Sequence, residues 1–300
     1  MTISLQYLDD LSRVRISLSG FPNGAVHVQR ALNPAATDAL WTTVRGGLSL
    51  PVVGGVAVLD DYEFVPDVEN HYRVRQARWD DMTAIFTSSG TWNKPPGLVG
   101  VKVTVIGAGG GGGGVAATGA GEAAEAGGGG AGAIAIAWIP ADDLGDTETV
   151  IVGAGGTGGT SNNPGTAGGA STFTRTRGMN VTAGGGGVGA NSVASSGNIQ
   201  NAGGTGGSST TGADLSIPGA YGDYGTVRGG VAGFGGRGAS GPFGAGGRTA
   251  HSLSANGANA TGFGAGGSGA RNAASQSARP GGDGAPGLVI VEHFFDEIGV

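Results

Sequence analysis

The sequence predicts an all-β protein in two parts, with a sandwich of short strands over residues 1–80 and a glycine-rich domain over residues 84–300. Six of the 68 glycines lie in residues 1–83, and the other 62 follow. Short runs in both parts alternate polar and apolar residues, which is the period of a half-buried strand. The sequence therefore indicates two units with a boundary between Arg75 and Ile85.

Composition narrows the possible functions. The net charge is −6 and only 13% of residues are charged, about half the usual share, so the sequence predicts no basic surface for nucleic acid. Cysteine is absent, which excludes disulfides and thiolate metal sites. No run of 18 apolar residues occurs and the N-terminus lacks the pattern of a signal peptide, so we expect no membrane insertion. The four histidines have no metal-ligand spacing, and we expect His293 on a strand.

The first part reads as a set of short strands separated by turns. The predicted strands are residues 13–19, 25–30, 41–44, 56–59 and 72–78, at the spacing typical of a β-sandwich. Trp41 occupies the place where an immunoglobulin-like domain buries a tryptophan, and Tyr72 the place of a tyrosine corner. We therefore expect an immunoglobulin- or fibronectin-like sandwich.

The second part alternates strands with glycine tracts. The predicted strands are residues 85–95, 101–106, 133–139, 149–152, 180–182 and 288–295, and several run directly into glycine. An extended glycine helix has no internal hydrogen bonds, and every buried amide needs a partner. We therefore expect polyglycine-type extended helices packed side by side, because only glycine lets backbones approach so closely. Three phenylalanines that precede glycine, Phe234, Phe243 and Phe263, are expected to be core wedges.

A dinucleotide-binding motif is the main competing interpretation. Residues 103–106 form a strand that runs into Gly107-Ala108-Gly109 and further glycines, as in the turn that holds a pyrophosphate. Glycine is so frequent here that the same pattern recurs at Gly153. Gly119 and Gly121 would each cost a following helix about 1 kcal/mol. We therefore expect no enzyme and no cofactor, and a dinucleotide-binding enzyme remains only as a distant alternative.

The motif Phe86-Thr87-Ser88-Ser89-Gly90-Thr91-Trp92-Asn93-Lys94-Pro95-Pro96-Gly97, followed by the strand 101–106, resembles the start of the glycine-rich domains of bacteriophage tail proteins. Residues 150–156 and 284–291 are similar to the middle and end of those domains. Residues 61–66 and 72–75 resemble sandwich modules in minor tail proteins of long-tailed phages of GC-rich, Gram-positive hosts.

This resemblance implies a virion protein at the distal end of a phage tail. It implies a homotrimer whose first domain attaches to other tail or baseplate proteins, and it carries over no catalytic residues. Some related adhesins bind host receptors through loops between packed glycine helices. A bacterial surface protein with glycine-rich repeats is a further alternative, which the absent signal peptide disfavours.

Two functions remain open: an adhesin for a host-surface glycan or wall polymer, and a purely structural tip or spacer. Residues 191–280 are expected to be a long irregular insert that carries recognition. The receptor-binding candidates are Tyr221, Asp223, Tyr224, Arg228, Arg237 and Arg248. Aromatic, acidic and guanidinium groups on a glycine-held loop suit a saccharide. The alternative is that both tyrosines wedge into the glycine core.

Overall fold

The computed structural model describes residues 1–9, 12–33, 41–48, 50–77, 83–95, 98–208, 210–249 and 252–295. Its regular structure is almost entirely β-strand, which confirms the predicted all-β class. The chain divides into a first unit that contains Met1–Met82 and a second unit, Thr83–Phe294. Residues 78–82, on which the predicted boundary and the end of the strand 72–78 fall, lie outside the described residues. In the described part of the chain, no helix is long and apolar enough to cross a membrane.

The first unit consists of two antiparallel sheets around one core. Its strands are β1 (Thr2–Leu8), β2 (Arg13–Ser19), β3 (Gly24–Ala31), β4 (Thr42–Thr43), β5 (Leu50–Val52), β6 (Val56–Asp61) and β7 (His71–Ala77). One sheet has the order β1-β2-β6, and in the other β3 pairs with β4, β5 and β7. Ile16 and Leu18 from the first sheet and Val26, Val28 and Val74 from the second share one buried cluster. This is the predicted sandwich arrangement.

Two aromatic residues in this unit differ in detail from the immunoglobulin pattern. Tyr72 is buried, but its hydroxyl donates to the Asp61 carboxylate over 2.9 Å and not to the backbone as in a tyrosine corner. Trp41 is only half-buried, and its ring lies against the guanidinium of Arg73, 4.3 Å from ring centroid to Cζ. The core is therefore formed mainly by aliphatic side chains, with Phe21 and Tyr72, and not by a central tryptophan.

The second unit contains fifteen described strands, most of them short. They are β8 (Thr83–Phe86), β9 (Gly90–Asn93), β10 (Leu98–Ile106), β11 (Ala124–Glu125), β12 (Ile134–Pro140), β13 (Thr147–Ile151), β14 (Ser171–Phe173), β15 (Val181–Ala183), β16 (Ile199–Asn201), β17 (Thr210–Thr211), β18 (Leu215–Ile217), β19 (Gly225–Arg228), β20 (Val231–Phe234), β21 (Arg271–Asn272) and β22 (Leu288–Phe295). Two five-stranded sheets, β18-β12-β10-β22-β8 and β17-β15-β14-β13-β9, lead into the glycine tracts, and β11-β21 and β16-β19-β20 form smaller sheets. Among the described residues of this unit, a single 3-10 turn, Ala141–Asp143, follows β12.

The glycine tracts continue the register of the strands that lead into them. β10 and β12 are antiparallel, with Ile106 opposite Ile134. Beyond that pair, the N–H groups of Gly107, Gly110 and Gly113 donate to the carbonyls of Ala133, Gly130 and Gly127 over 2.9–3.0 Å. The register is unchanged, but donation to this neighbour now recurs at every third residue, whereas strand pairs repeat at every second.

The tract 107–115 is surrounded by six segments of the described chain. Successive N–H groups of the tract donate to three segments in turn, so that each segment recurs at every third residue; these segments are 127–133, 163–169 and 279–285. The carbonyls of the tract accept from segments 156–159, 186–192 and 267–270. The tract 126–133 is bonded in the same way, with donation to segments 264–270, 184–190 and 220–223 and acceptance from 107–113, 204–207 and 236–239. We call these two central tracts and their neighbours the glycine bundle.

The centre of the glycine bundle is packed with backbone and not with side chains. Both central tracts are buried. A Cβ added at any glycine from 109 to 114 would lie closer than 3.0 Å to a carbonyl oxygen of a neighbouring segment. Alanine occurs only where a methyl group fits, as at the fully buried Ala108 and Ala126. Close approach of backbones, and not turn geometry, therefore explains the glycine content of the two central tracts.

Several described segments within residues 191–280 belong to this bundle, so the expectation of an irregular insert is wrong. Segments 204–207, 220–223, 236–239 and 264–270 all bond to the central tract 126–133. The strands in this region are only two to four residues long, which is too short for an alternating pattern to be visible. Their order comes from the backbone bonds of the tracts between them.

Trp92, the tryptophan of the sequence motif that begins at Phe86, joins the two large sheets. It lies on β9, and its indole Nε1 donates to Nε2 of His293 on β22 over 2.8 Å. Its ring packs edge-on against Phe173 on β14, with centroids 5.8 Å apart. Both Trp92 and His293 are buried, so His293 is the strand residue that the sequence predicts, with a hydrogen bond that the sequence did not reveal.

Candidate binding surface

Tyr221 and Tyr224 occupy the outward positions of one bundle segment, 219–224. Gly219 and Gly222 donate to the carbonyls of segment 204–207, and the carbonyls of Ala220 and Asp223 accept from the central tract. The remaining third of the positions holds the two tyrosines, which are 73% and 58% exposed. The spacing of three residues therefore places both rings on the solvent side of an anchored backbone.

The neighbouring segment presents a second row of exposed side chains. The N–H of Asp223 donates to the carbonyl of Arg237 over 2.9 Å, which sets segment 235–239 beside the tyrosine segment. Phe234, Arg237 and Ser240 again follow each other at intervals of three, and all three are exposed. Phe234 is 76% exposed. This row lies next to the tyrosines.

Arg248 belongs to a third segment beside the second. Gly238 donates to the carbonyl of Gly247 over 2.9 Å, a register that sets Arg237 opposite Arg248. Both arginines are exposed. Tyr221, Asp223, Tyr224, Arg237 and Arg248 therefore lie on three consecutive segments, and we call these five residues with Phe234 the tyrosine surface.

Arg228 is not part of the tyrosine surface. It ends β19, opposite Val231 of β20, directly before a turn in which Gly229 and Gly230 have φ of 57° and 71°. Four residues of strand separate it from Tyr224, which is about 13 Å. Arg228 is exposed, but it lies at the end of a hairpin and not on segment 219–224.

Two expectations about aromatic residues are wrong. Phe234 and Phe243, expected as core wedges, are 76% and 54% exposed, and Tyr221 and Tyr224 do not wedge into the core. Only Phe263 is half-buried. The physical reason is that the bundle's interior is filled by backbone at distances that leave no room for a ring. The side chains of Tyr221, Tyr224, Phe234 and Phe243 are therefore directed outward.

The charges on this surface are mainly positive. The tyrosine surface carries two guanidinium groups, Arg237 and Arg248, and one carboxylate, Asp223. Guanidinium groups offer planar sets of N–H donors, which suit hydroxyl and carboxylate oxygens. Among the described residues, no group of three or more histidine, aspartate or glutamate side chains could hold a metal ion. The arrangement offers stacking faces and hydrogen-bond donors on a rigid support.

Comparison with known families gives one match. Residues 85–294 match a family described as a glycine-rich domain, which covers 210 of the 300 residues. No curated protein matches the chain. The matched range begins within β8 and ends within β22. It contains the whole glycine bundle and the tyrosine surface.

Proposed function

This chain belongs to the family of glycine-rich domains, and on that premise we propose that it is a bacteriophage tail-tip protein that binds a host-surface glycan or wall polymer. The observation that carries the proposal is the pair of exposed tyrosines, Tyr221 and Tyr224, on one segment of the bundle. Exposed tyrosines offer large apolar faces with polar tips at little entropic cost. Arg237 beside them supplies donors for hydroxyl oxygens.

We also propose that the bundle segments are polyglycine-type helices. The recurrence of each hydrogen-bonded neighbour at every third residue matches a helix with three residues per turn and a rise of 3.1 Å per residue. Tyr221 and Tyr224 would then be about 9 Å apart along the helix axis. That spacing would allow two units of one extended polymer to contact two rings.

A tail-tip role assigns separate tasks to the two units. In the proposal, the first unit attaches the protein to other tail or baseplate proteins, and the second contacts the host. Three copies of the chain would supply the avidity that weak stacking contacts need. Light scattering that shows a trimer would support this assembly, and a monomer at every concentration would contradict it.

The proposal assigns no catalysis and no nucleotide. The N–H groups from Gly107 to Gly114, which a dinucleotide-binding turn would offer to a pyrophosphate, all donate to carbonyls of neighbouring segments. A phosphate could reach them only by breaking the bundle. This argues against the dinucleotide alternative that the sequence motif suggests.

The experiment is a binding assay of the labelled full chain on intact cells of GC-rich, Gram-positive bacteria. Soluble polysaccharide released from the same cell walls should compete, and protease treatment of the cells should leave binding unchanged. Binding that protease abolishes would contradict a glycan receptor. A chain that binds none of the cells would instead be the structural tip or spacer.

A further inference from the structure

A cavity of about 280 Å³ opens on another part of the second unit. Its lining includes the rings of Phe243 and Phe263, the ring of Pro286, and the polar residues Asn259, Thr261 and Asp283. These residues are not among the sequence-predicted site residues. The volume is slightly below the usual range for small-molecule sites, about 300–1,000 Å³.

The cavity lies between segment 279–285 of the bundle and segment 257–261, which is bonded to it. Ala260 of one segment donates its N–H to the carbonyl of Asp283 over 2.9 Å, which fixes the segments side by side. Asn259, Asp283 and Pro286 are exposed. Both walls are therefore held by backbone bonds and do not need to be ordered when a ligand binds, which lowers the entropic cost of binding.

The polar residues of the cavity are oriented and keep spare bonding capacity. Asp283 accepts from the N–H of Gly158 through Oδ1 over 2.7 Å, and its own N–H donates to Oδ1 of Asn259 over 2.8 Å. Among the described residues, Oδ2 of Asp283 and the side-chain NH₂ of Asn259 have no hydrogen-bond partner. A fixed acceptor and a fixed donor therefore stand close to two aromatic rings.

We propose that this cavity binds one neutral hexopyranose unit. The apolar face of the sugar ring would pack on Phe243, while neighbouring hydroxyls donate to the Asp283 carboxylate and accept from the Asn259 amide. Asp283 is the charged residue of the lining, so an acidic sugar would be repelled. The inference rests on the proposed function only for the claim that such a unit belongs to a host polymer.

Nuclear magnetic resonance titration of the full chain tests the proposal with the methyl glycosides of glucose, galactose and mannose. At least one should shift the Asn259 side-chain amide and the backbone amides of Thr261 and Asp283. Methyl glucuronide, which carries a carboxylate, should bind about tenfold more weakly. No shift with any neutral glycoside, or equal binding of the glucuronide, would overturn the proposal.

Two variants locate the binding. Phe243→Ala removes the ring, and Asp283→Asn keeps an oxygen for Gly158 but removes the charge. Each should weaken glycoside binding about tenfold. If one variant does not fold, the other still tests the proposal. The matched control, Met179→Ala, removes an exposed side chain that is outside the cavity lining and should leave the affinity unchanged. Unchanged affinity in both cavity variants would overturn the proposal.

The glycoside titration and the cell-binding assay test the cavity and the proposed function separately. Glycoside shifts at the cavity, in a chain that binds no cells, would support the cavity and contradict the adhesin. Cell binding that depends on the tyrosines, in a chain with no glycoside shifts, would overturn the cavity alone.

Discussion

The backbone N–H of Gly110 donates to the carbonyl oxygen of Gly130 over 2.9 Å, in the register that Ile106 and Ile134 set in the strand pair β10–β12. The glycine bundle is therefore an extension of the sheets in which the bonding period changes from two to three. A strand bonds to neighbours on two sides, whereas a three-residue repeat lets each central tract bond to six segments of the described chain.

Glycine inside a central tract should tolerate no side chain. Gly111→Ala places a Cβ against the carbonyl oxygen of Thr157, and we expect a loss of about 3 kcal/mol in the free energy of unfolding, at the upper end of overpacking costs. The matched control is Gly197→Ala, where the nearest atom to the added Cβ lies 3.7 Å away. Denaturant unfolding of both variants tests this; equal midpoints would contradict the packing.

Proline should be accepted wherever an N–H faces solvent. Ala167 is exposed and its N–H has no partner among the described residues, so Ala167→Pro should leave stability unchanged or raise it by about 0.4–1 kcal/mol. In contrast, Ala108 donates to the carbonyl of Gly169 over 3.0 Å and is buried, so Ala108→Pro should prevent folding. The melting temperatures of the two variants, compared with that of the wild type, measure the difference. Similar losses in both would argue against the three-residue repeat.

The contact between Trp92 and His293 should stabilise the second unit. Trp92→Phe removes the buried indole donor to His293, which should cost about 1–3 kcal/mol. Trp138→Phe is the matched control, because Trp138 lies on β12 with 54% exposure and should change stability by less than about 0.5 kcal/mol. Thermal unfolding measures both. An equal effect at the two positions would show that the hydrogen bond does not matter.

A buried carboxylate should make stability depend on pH. Glu125 is fully buried, and its Oε1 lies 3.3 Å from Nη2 of Arg271. Burial raises the pKa of Glu125 from 4.5 to about 7, although the nearby Arg271 guanidinium acts to lower that pKa. Because the folded state binds this proton more tightly, its contribution is fully present below pH 4.5 and is lost as pH rises through about 7.

Glu125→Gln should therefore remove the fall in stability between pH 4.5 and about 7. Denaturant midpoints across that range give the measurement. Glu122→Gln, in the same unit but with a partly exposed side chain, serves as the control and should keep the pH dependence. A Glu125→Gln variant with an unchanged pH profile would show that another group is responsible.

The sequence predicted the long strands well because their alternation is visible. β10, β12 and β22 fall close to the predicted ranges. β1 carries the same alternation, Thr2-Ile3-Ser4-Leu5-Gln6-Tyr7, so it could have been predicted. β16 to β21 are two to four residues long and show no period, because backbone bonds between tracts and not side-chain burial hold them in place.

The candidate site was predicted in part. Tyr221 and Tyr224 were selected as aromatic residues among glycines. Their exposure depends on which positions of the three-residue repeat face the core, and these positions are known only once the neighbouring segments are known. Phe234 was assigned to the core for the same reason. A spacing of three between Phe234, Arg237 and Ser240 is the signal that could have identified an outward row.

Cell binding by the double variant Tyr221→Ala, Tyr224→Ala tests the central claim most directly. Both side chains are exposed and make no hydrogen bond to the described residues, so the variant should keep the melting temperature and oligomeric state of the wild type. We predict that it loses binding to host cells, whereas Met179→Ala, which removes a side chain of 61% exposure elsewhere in the unit, retains it. Binding that persists undiminished in the folded double variant would contradict the assignment of the tyrosine surface.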